Sequence, residues 1–246
     1  MRSVRLLASL LLALPIAWLG APADPEPAEE VAPGEDVVLL HGLGRSHWNM
    51  RRLEGRLGEA GFRTHNLDYP STDLTPAELV AHVDAELARC CARTRPLHFV
   101  THSMGGILLR AYLAEHELPG LGRVVMLAPP NRGSEYVDVA GGWKVFGHLL
   151  GPTAQQLGTD PGSLPNRLPP PAFELGVIAG TGSLNPLGAL VIEGANDGTV
   201  SVESARIPGM RDFLELDVSH TFIVRDAEVA RQAIVFLRSG AFVHDE

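Results

Sequence analysis

The chain has 246 residues, a formal net charge of −9, 45% apolar side chains and 20% charged ones. That length suits one large domain or two small ones, and the composition is that of a core-forming globular chain rather than a disordered one. The negative balance, with no basic run and Lys144 as the only lysine, excludes nucleic acid as a partner, because that binding depends on Lys and Arg neutralising phosphates.

The first 25 residues, MRSVRLLASLLLALPIAWLGAPADP, carry Arg2 and Arg5, an apolar run from Leu6 to Leu19, and small residues at Ala21 and Ala23. This is the layout of a secretory signal peptide, with cleavage expected after Ala23. An uncleaved N-terminal anchor is the alternative, although the run is short of the roughly 20 residues that span a bilayer. No cysteine directly follows the run to take a lipid. Residues 24–35, rich in Pro, Glu and Ala without apolar periodicity, read as a flexible linker.

Residues 36–246 read as the folded domain. DVVLLHG from Asp36 is a short β-branched apolar run, a buried strand. Met50, Leu53 and Leu57 then recur at helical spacing up to Ala60, and Gly61 stops the helix. RTHNLDYP is another short strand. Thr75 as N-cap, Pro76 at the first helical position and Glu78 in the first turn open a second helix, with Leu79, Val83 and Leu87 on one face. Cys90 and Cys91, the only cysteines, fall near its end. Neighbours within a helix do not match the Cα separation that disulfides prefer, so two thiols are the favoured reading, with a vicinal disulfide left open. PLHFVTH is a strand, Met104 to Glu115 a helix, and GRVVMLAPP a strand. The Gly/Pro-rich stretch 129–171 has weak helical character only around Val139 to Leu150. It reads as a lid-like insertion and contains Trp143, Phe146, Leu149 and Leu150. ELGVIAG, ALVIEGANDG and DFLELDVSH continue the pattern. A helix from about Asp226 to Leu237 closes it, with Val229, Ala233, Ile234 and Leu237 facing inward. Apolar strands alternating with helices imply an α/β fold: a mostly parallel sheet with helices on both faces.

Thr101-His102-Ser103-Met104-Gly105 sits where a strand becomes a helix. It matches the nucleophile elbow G-x-S-x-G, with Thr in place of the first glycine. Such a turn exposes a serine Oγ above the sheet, beside the amides and partial positive charge of a helix N-terminus. The competing reading is an ordinary serine N-cap. LLHGLGRS after the first strand can offer a second amide, which assigns the Leu43 and Met104 N–H groups to an oxyanion hole. Asp197 lies in a turn of GANDGTVS after an apolar run, and His220 in the loop of LELDVSHTFI before the last helix. Ser103, Asp197, His220 is the chain order of hydrolase triads on α/β sheets. Asp217, nearer to His220, is the second candidate for the acid.

HGLG, THSMGG, LAPPNRGSE, GANDGTVSVESA and SHTFI resemble the bacterial α/β-hydrolase esterases and lipases, the compact lipases and inositol-deacylase-like hydrolases among them. The resemblance runs from Asp36 to Gly240. It implies an α/β-hydrolase fold, a triad of Ser103, Asp197 and His220, an oxyanion hole at Leu43 and Met104, and a pocket lined by PPNRGSE. The implied activity is ester cleavage through an acyl-enzyme; acyl transfer, thioester cleavage or a non-catalytic binding role are the alternatives. No cofactor is expected, and no His/Cys/Asp cluster has metal-ligand spacing in the sequence. The expected partner is a small acyl ester or a lipid, with contact to a lipid interface left open.

Overall fold

The computed structural model of the protein describes residues 34–91, 96–141 and 150–244. The proposed signal segment, most of the linker, and Trp143, Phe146 and Leu149 lie outside them. Six strands, β1 Asp36–Leu40, β2 Arg63–Leu67, β3 Leu97–His102, β4 Leu121–Leu127, β5 Leu175–Gly180 and β6 Asp212–Leu216, form one sheet in the order β2-β1-β3-β4-β5-β6. Every pairing is parallel, so all six C-terminal ends share one edge. The central strands β1, β3 and β5 are buried along their whole length, which is why they read as continuous apolar runs.

Alternation along each strand divides the core into two. Val38, Leu40, Phe99, Val124 and Met126 pack against helices α2 Pro76–Cys90 and α3 Met104–Glu115. Val37, Leu39, Val100, Val125 and Leu127 meet α1 His47–Glu59 and the C-terminal helix Ala227–Ser239 on the other face. The helix ends follow their residues. Thr75 accepts from the Glu78 amide while the Glu78 carboxylate takes the Thr75 N–H, a reciprocal cap behind Pro76. Asp226 accepts from the Glu228 and Val229 amides, and Gly240 ends the helix in a left-handed conformation. On that helix Ile234 is half-buried against the core, and Phe236, which the periodicity did not include, is fully buried.

Three regions depart from the sequence pattern. The run before Asp197 is no strand: Pro186–Val191 forms a short helix, capped by the Asn185 side chain. Pro fits its first turn, and the Asn oxygen satisfies the Leu187 amide, so local chemistry overrides the apolar content. Cys90 and Cys91 are joined by a disulfide. Cys90 is the last residue of α2, whereas Cys91 is already extended (φ −118°, ψ 128°), so the two side chains do not diverge as helical neighbours do. The insertion is built on short helical pieces, α4 Glu135–Gly141, residues 150–154, and α5 Leu164–Arg167. With the others in chain order, Pro186–Val191 is α6, Val202–Ala205 α7 and Ala227–Ser239 α8. The base of the insertion is tied to the core by Arg110 of α3, a buried guanidinium. It donates to the carbonyls of Asn131, Pro165, Leu168 and Pro169 and to the Asn131 side-chain oxygen. Burial draws its pKa down to about 10, so it remains a cation at neutral pH.

Candidate active site

Ser103 follows β3 directly and precedes the first residue of α3. Its backbone separates the two readings of the serine. The N-caps Thr75, Ser201 and Asp226 are extended, with side-chain oxygens that accept helix amides. Ser103 has φ 53° and ψ −124° and makes no side-chain cap hydrogen bond. A non-glycine residue at such a φ carries strain of order 1–3 kcal/mol, which persists only where the surroundings hold it. Here the Ser103 amide donates to the Leu127 carbonyl of β4, and the Ser103 carbonyl accepts from Gly106.

The helix side of the turn is tight. A Cβ on Gly105 would lie 2.6 Å from the Leu40 carbonyl oxygen and 2.7 Å from that of His41, both rigid backbone. Thr101, the departure from the elbow pattern, is therefore not accommodated by a wider gap at this point. Its room comes from Gly106, where a Cβ would stand 3.2 Å from Thr101 Oγ1 and 3.1 Å from Met126 Sδ.

The three sequence candidates meet. Ser103 Oγ lies 3.0 Å from His220 Nε2, and His220 Nδ1 lies 2.7 Å from Asp197 Oδ2. The other Asp197 oxygen accepts from the Thr199 and Val200 amides at 2.9 and 2.8 Å. Asp197 is buried, in a loop pinched by the bridge between Asn196 and Ser201, and its carbonyl takes the His220 amide. Asp217, the second candidate for the acid, is exposed just after β6 and is not a partner of His220.

The His-Gly turn after β1 presents Leu43 at the cavity wall, and Met104 opens α3, where first-turn amides have no helical acceptor. Among the described residues neither amide is given to a backbone carbonyl. Two residues after β2 hold this turn, and sequence reading missed both. The Tyr69 hydroxyl donates to the His41 carbonyl while its ring stacks on His41 at 3.9 Å, and Ser71 Oγ accepts from the Gly44 amide. His102 has a second unforeseen role. Its Nε2 is 3.0 Å from the His220 carbonyl oxygen, so the ring donates there and supports the loop carrying His220. Burial, with the nearby His220, keeps the His102 ring neutral far below the usual histidine range. These partners are separated in sequence by 27 to 118 residues and leave no local signal.

Above the serine opens a cavity of about 220 Å³. Leu43, Pro130, Val137, Leu150, Leu157 and Val200 form its apolar wall, and Ser103 and His220 its reactive floor. Of PPNRGSE, Pro130 and Ser134 reach the lining, whereas Asn131 turns inward to Arg110 and Ala205. Of Trp143, Phe146, Leu149 and Leu150, Leu150 is the one among the described residues, and it lines the cavity together with Val137 and Leu157 of the same insertion.

The model of the alpha/beta hydrolase family matches residues 37–233. The chain is an α/β hydrolase. Solved structures with similar folds include the mature lipase BlEst2 of Bacillus licheniformis, 20% identical with a TM-score of 0.65, over 89% of this chain and 96% of the lipase. The metagenomic carboxyl esterase MGS0156 is 19% identical with a TM-score of 0.60, over 85% of this chain and 71% of that one. The esterase EaEST of Exiguobacterium antarcticum is 13% identical with a TM-score of 0.57, over 85% and 94% of the two chains. No curated protein matches the sequence. For this α/β hydrolase, identities that low speak to the fold, and its chemistry rests on its own residues.

Proposed function

We propose that the protein is a serine hydrolase of carboxylic esters, working through an acyl-enzyme on Ser103. The observation that carries this reading is the hydrogen-bonded row Ser103–His220–Asp197 beneath an apolar cavity. Ser103 Oγ attacks the ester carbonyl while His220 Nε2 takes its proton. Asp197 holds Nδ1–H and stabilises the imidazolium. The Leu43 and Met104 amides receive the oxyanion, and the helix dipole of α3 adds to their field. His220 then protonates the departing alcohol, and water repeats the sequence on the acyl-enzyme with His220 as base. Every group in this scheme belongs to the chain, and the scheme calls on no cofactor.

The wall of the cavity favours an apolar acyl chain. Leu184 and Leu190, beside and on α6, are 73% and 81% exposed, and α6 packs against α4, whose Val137 lines the cavity. This supports substrates presented at a lipid interface. No helix among the described residues is long and apolar enough to cross a membrane. An exported chain fits the N-terminal pattern and a disulfide between Cys90 and Cys91, since such bonds persist in oxidising compartments.

The test is a series of p-nitrophenyl esters of increasing acyl length, with wild type and Ser103→Ala. Turnover of at least one member, lost by several orders of magnitude in the variant, is expected. Absence of turnover across the series, or equal turnover by the variant, would overturn the assignment.

A further inference from the structure

At β2 and the end of α2, the fold assembles a group that sequence spacing does not reveal. A ring nitrogen of His65 and the two sulfurs of Cys90 and Cys91 all lie within 4.8 Å of one another, half-buried. His65 comes from β2 and the cysteines from the end of α2. His65 and Cys90 border an open cleft that also carries His47, Asp68 and His82. We propose that in its dithiol form this group binds one soft, thiophilic cation of the Zn²⁺ or Cu⁺ class, and that the Cys90–Cys91 disulfide closes the site.

Three features carry the proposal. Two thiolates and an imidazole are the ligand types that select such ions over Mg²⁺ or Ca²⁺. A tetrahedral Zn²⁺ with bonds of about 2.3 Å to sulfur and 2.0 Å to nitrogen needs ligand atoms roughly 3.5–3.8 Å apart, a separation the two sulfurs reach only once their bond is broken and one that fits inside the 4.8 Å span of the group. The third feature lies behind the imidazole. His65 Nε2 is 2.8 Å from Oδ1 of Asp36, a buried carboxylate also clamped by Arg63. With Nε2–H given to Asp36, the lone pair is on Nδ1. A carboxylate behind a metal-binding histidine fixes its tautomer and raises its basicity.

The two forms differ by one balanced step. A dithiol reductant breaks the Sγ–Sγ bond, delivering two electrons and two protons to the cysteines and becoming a disulfide itself. The cation then displaces the two thiol protons. In the oxidised form neither sulfur is a thiolate, and the ligand set falls to one histidine.

The experiment uses the whole chain, oxidised or reduced with dithiothreitol and desalted without oxygen, and titrated with Zn²⁺ against a chromogenic chelator. The reduced chain should take one equivalent and the oxidised chain none in the same competition. His65→Gln should weaken uptake tenfold or more, and Cys90→Ser with Cys91→Ser should abolish it. Equal uptake by oxidised protein or by the double-serine chain would assign the ion to the cleft histidines and overturn the proposal. So would no uptake by the reduced chain, or unchanged uptake by His65→Gln. Protection of the two thiols from iodoacetamide by Zn²⁺ reads the same site without any variant; unprotected thiols would refute it.

Discussion

Asp197→Asn separates the role of the acid from that of the loop around it. One oxygen of Asp197 accepts two amide donors, Thr199 and Val200. An asparagine can keep both only by placing its own oxygen there. Flipping the amide would set its NH₂ against those two donors and lose two hydrogen bonds, each worth about 1 kcal/mol net and more when the groups are left unsatisfied. The NH₂ is thus held facing His220 Nδ1, which must accept rather than donate. The proton moves to Nε2, the atom 3.0 Å from Ser103 Oγ, and the base is lost. Such a tautomer reversal costs about 10⁴ in kcat in a serine protease triad, or about 5.5 kcal/mol of barrier. Steady-state kinetics on a p-nitrophenyl ester measure it, and a urea melt should find stability nearly unchanged because the loop bonds persist. A loss below tenfold, or an equal loss in Asp217→Asn, would refute the reasoning.

Other outcomes follow from the same geometry. Arg110→Met leaves buried carbonyls of Asn131, Pro165, Leu168 and Pro169 without their donor, and urea denaturation should show a loss of about 3 kcal/mol or more, against under 1 if the insertion is not anchored there. Burial keeps His41, His98 and His102 below the ordinary histidine pKa, so as pH falls through about 6.5 the unfolded chain binds protons that the native one does not. Stability should therefore drop between pH 7.5 and 5.5, by up to about 1.4 kcal/mol per pH unit for each histidine, and a flat or rising profile would contradict it. Leu184→Ser with Leu190→Ser should lower activity on emulsified esters severalfold and leave soluble short esters unaffected; an equal effect on both would remove the interfacial role.

Much of this was legible because it is local. A β-branched run ending in His-Gly, a Thr-Pro-x-Glu helix start and a serine between strand and helix each carry their structure within a few residues. The long-range pairing of Asp197 and His220 with Ser103 was reachable through chain order, because parallel strands deliver their ends to one edge. What escaped depends on side chains meeting across elements. Arg110 reads as a polar residue on a helix, and only the fold shows carbonyls converging on it from the insertion. Tyr69 and Ser71 look like loop residues until the turn after β1 is placed over them. Cys90 and Cys91 look like helical neighbours in the sequence, but the helix ends between them. Thr101 looked like a flaw in the elbow, and its compensation five residues on, at Gly106, becomes visible only when the space around both is known.

The central claim is that Ser103 is the nucleophile, and covalent labelling tests it most directly. Reaction with a fluorophosphonate, followed by tandem mass spectrometry, should place a single phosphonyl group on the peptide carrying Ser103 and nowhere else. Ser103→Ala should not label. A label on another residue, or undiminished labelling of Ser103→Ala, would contradict the account.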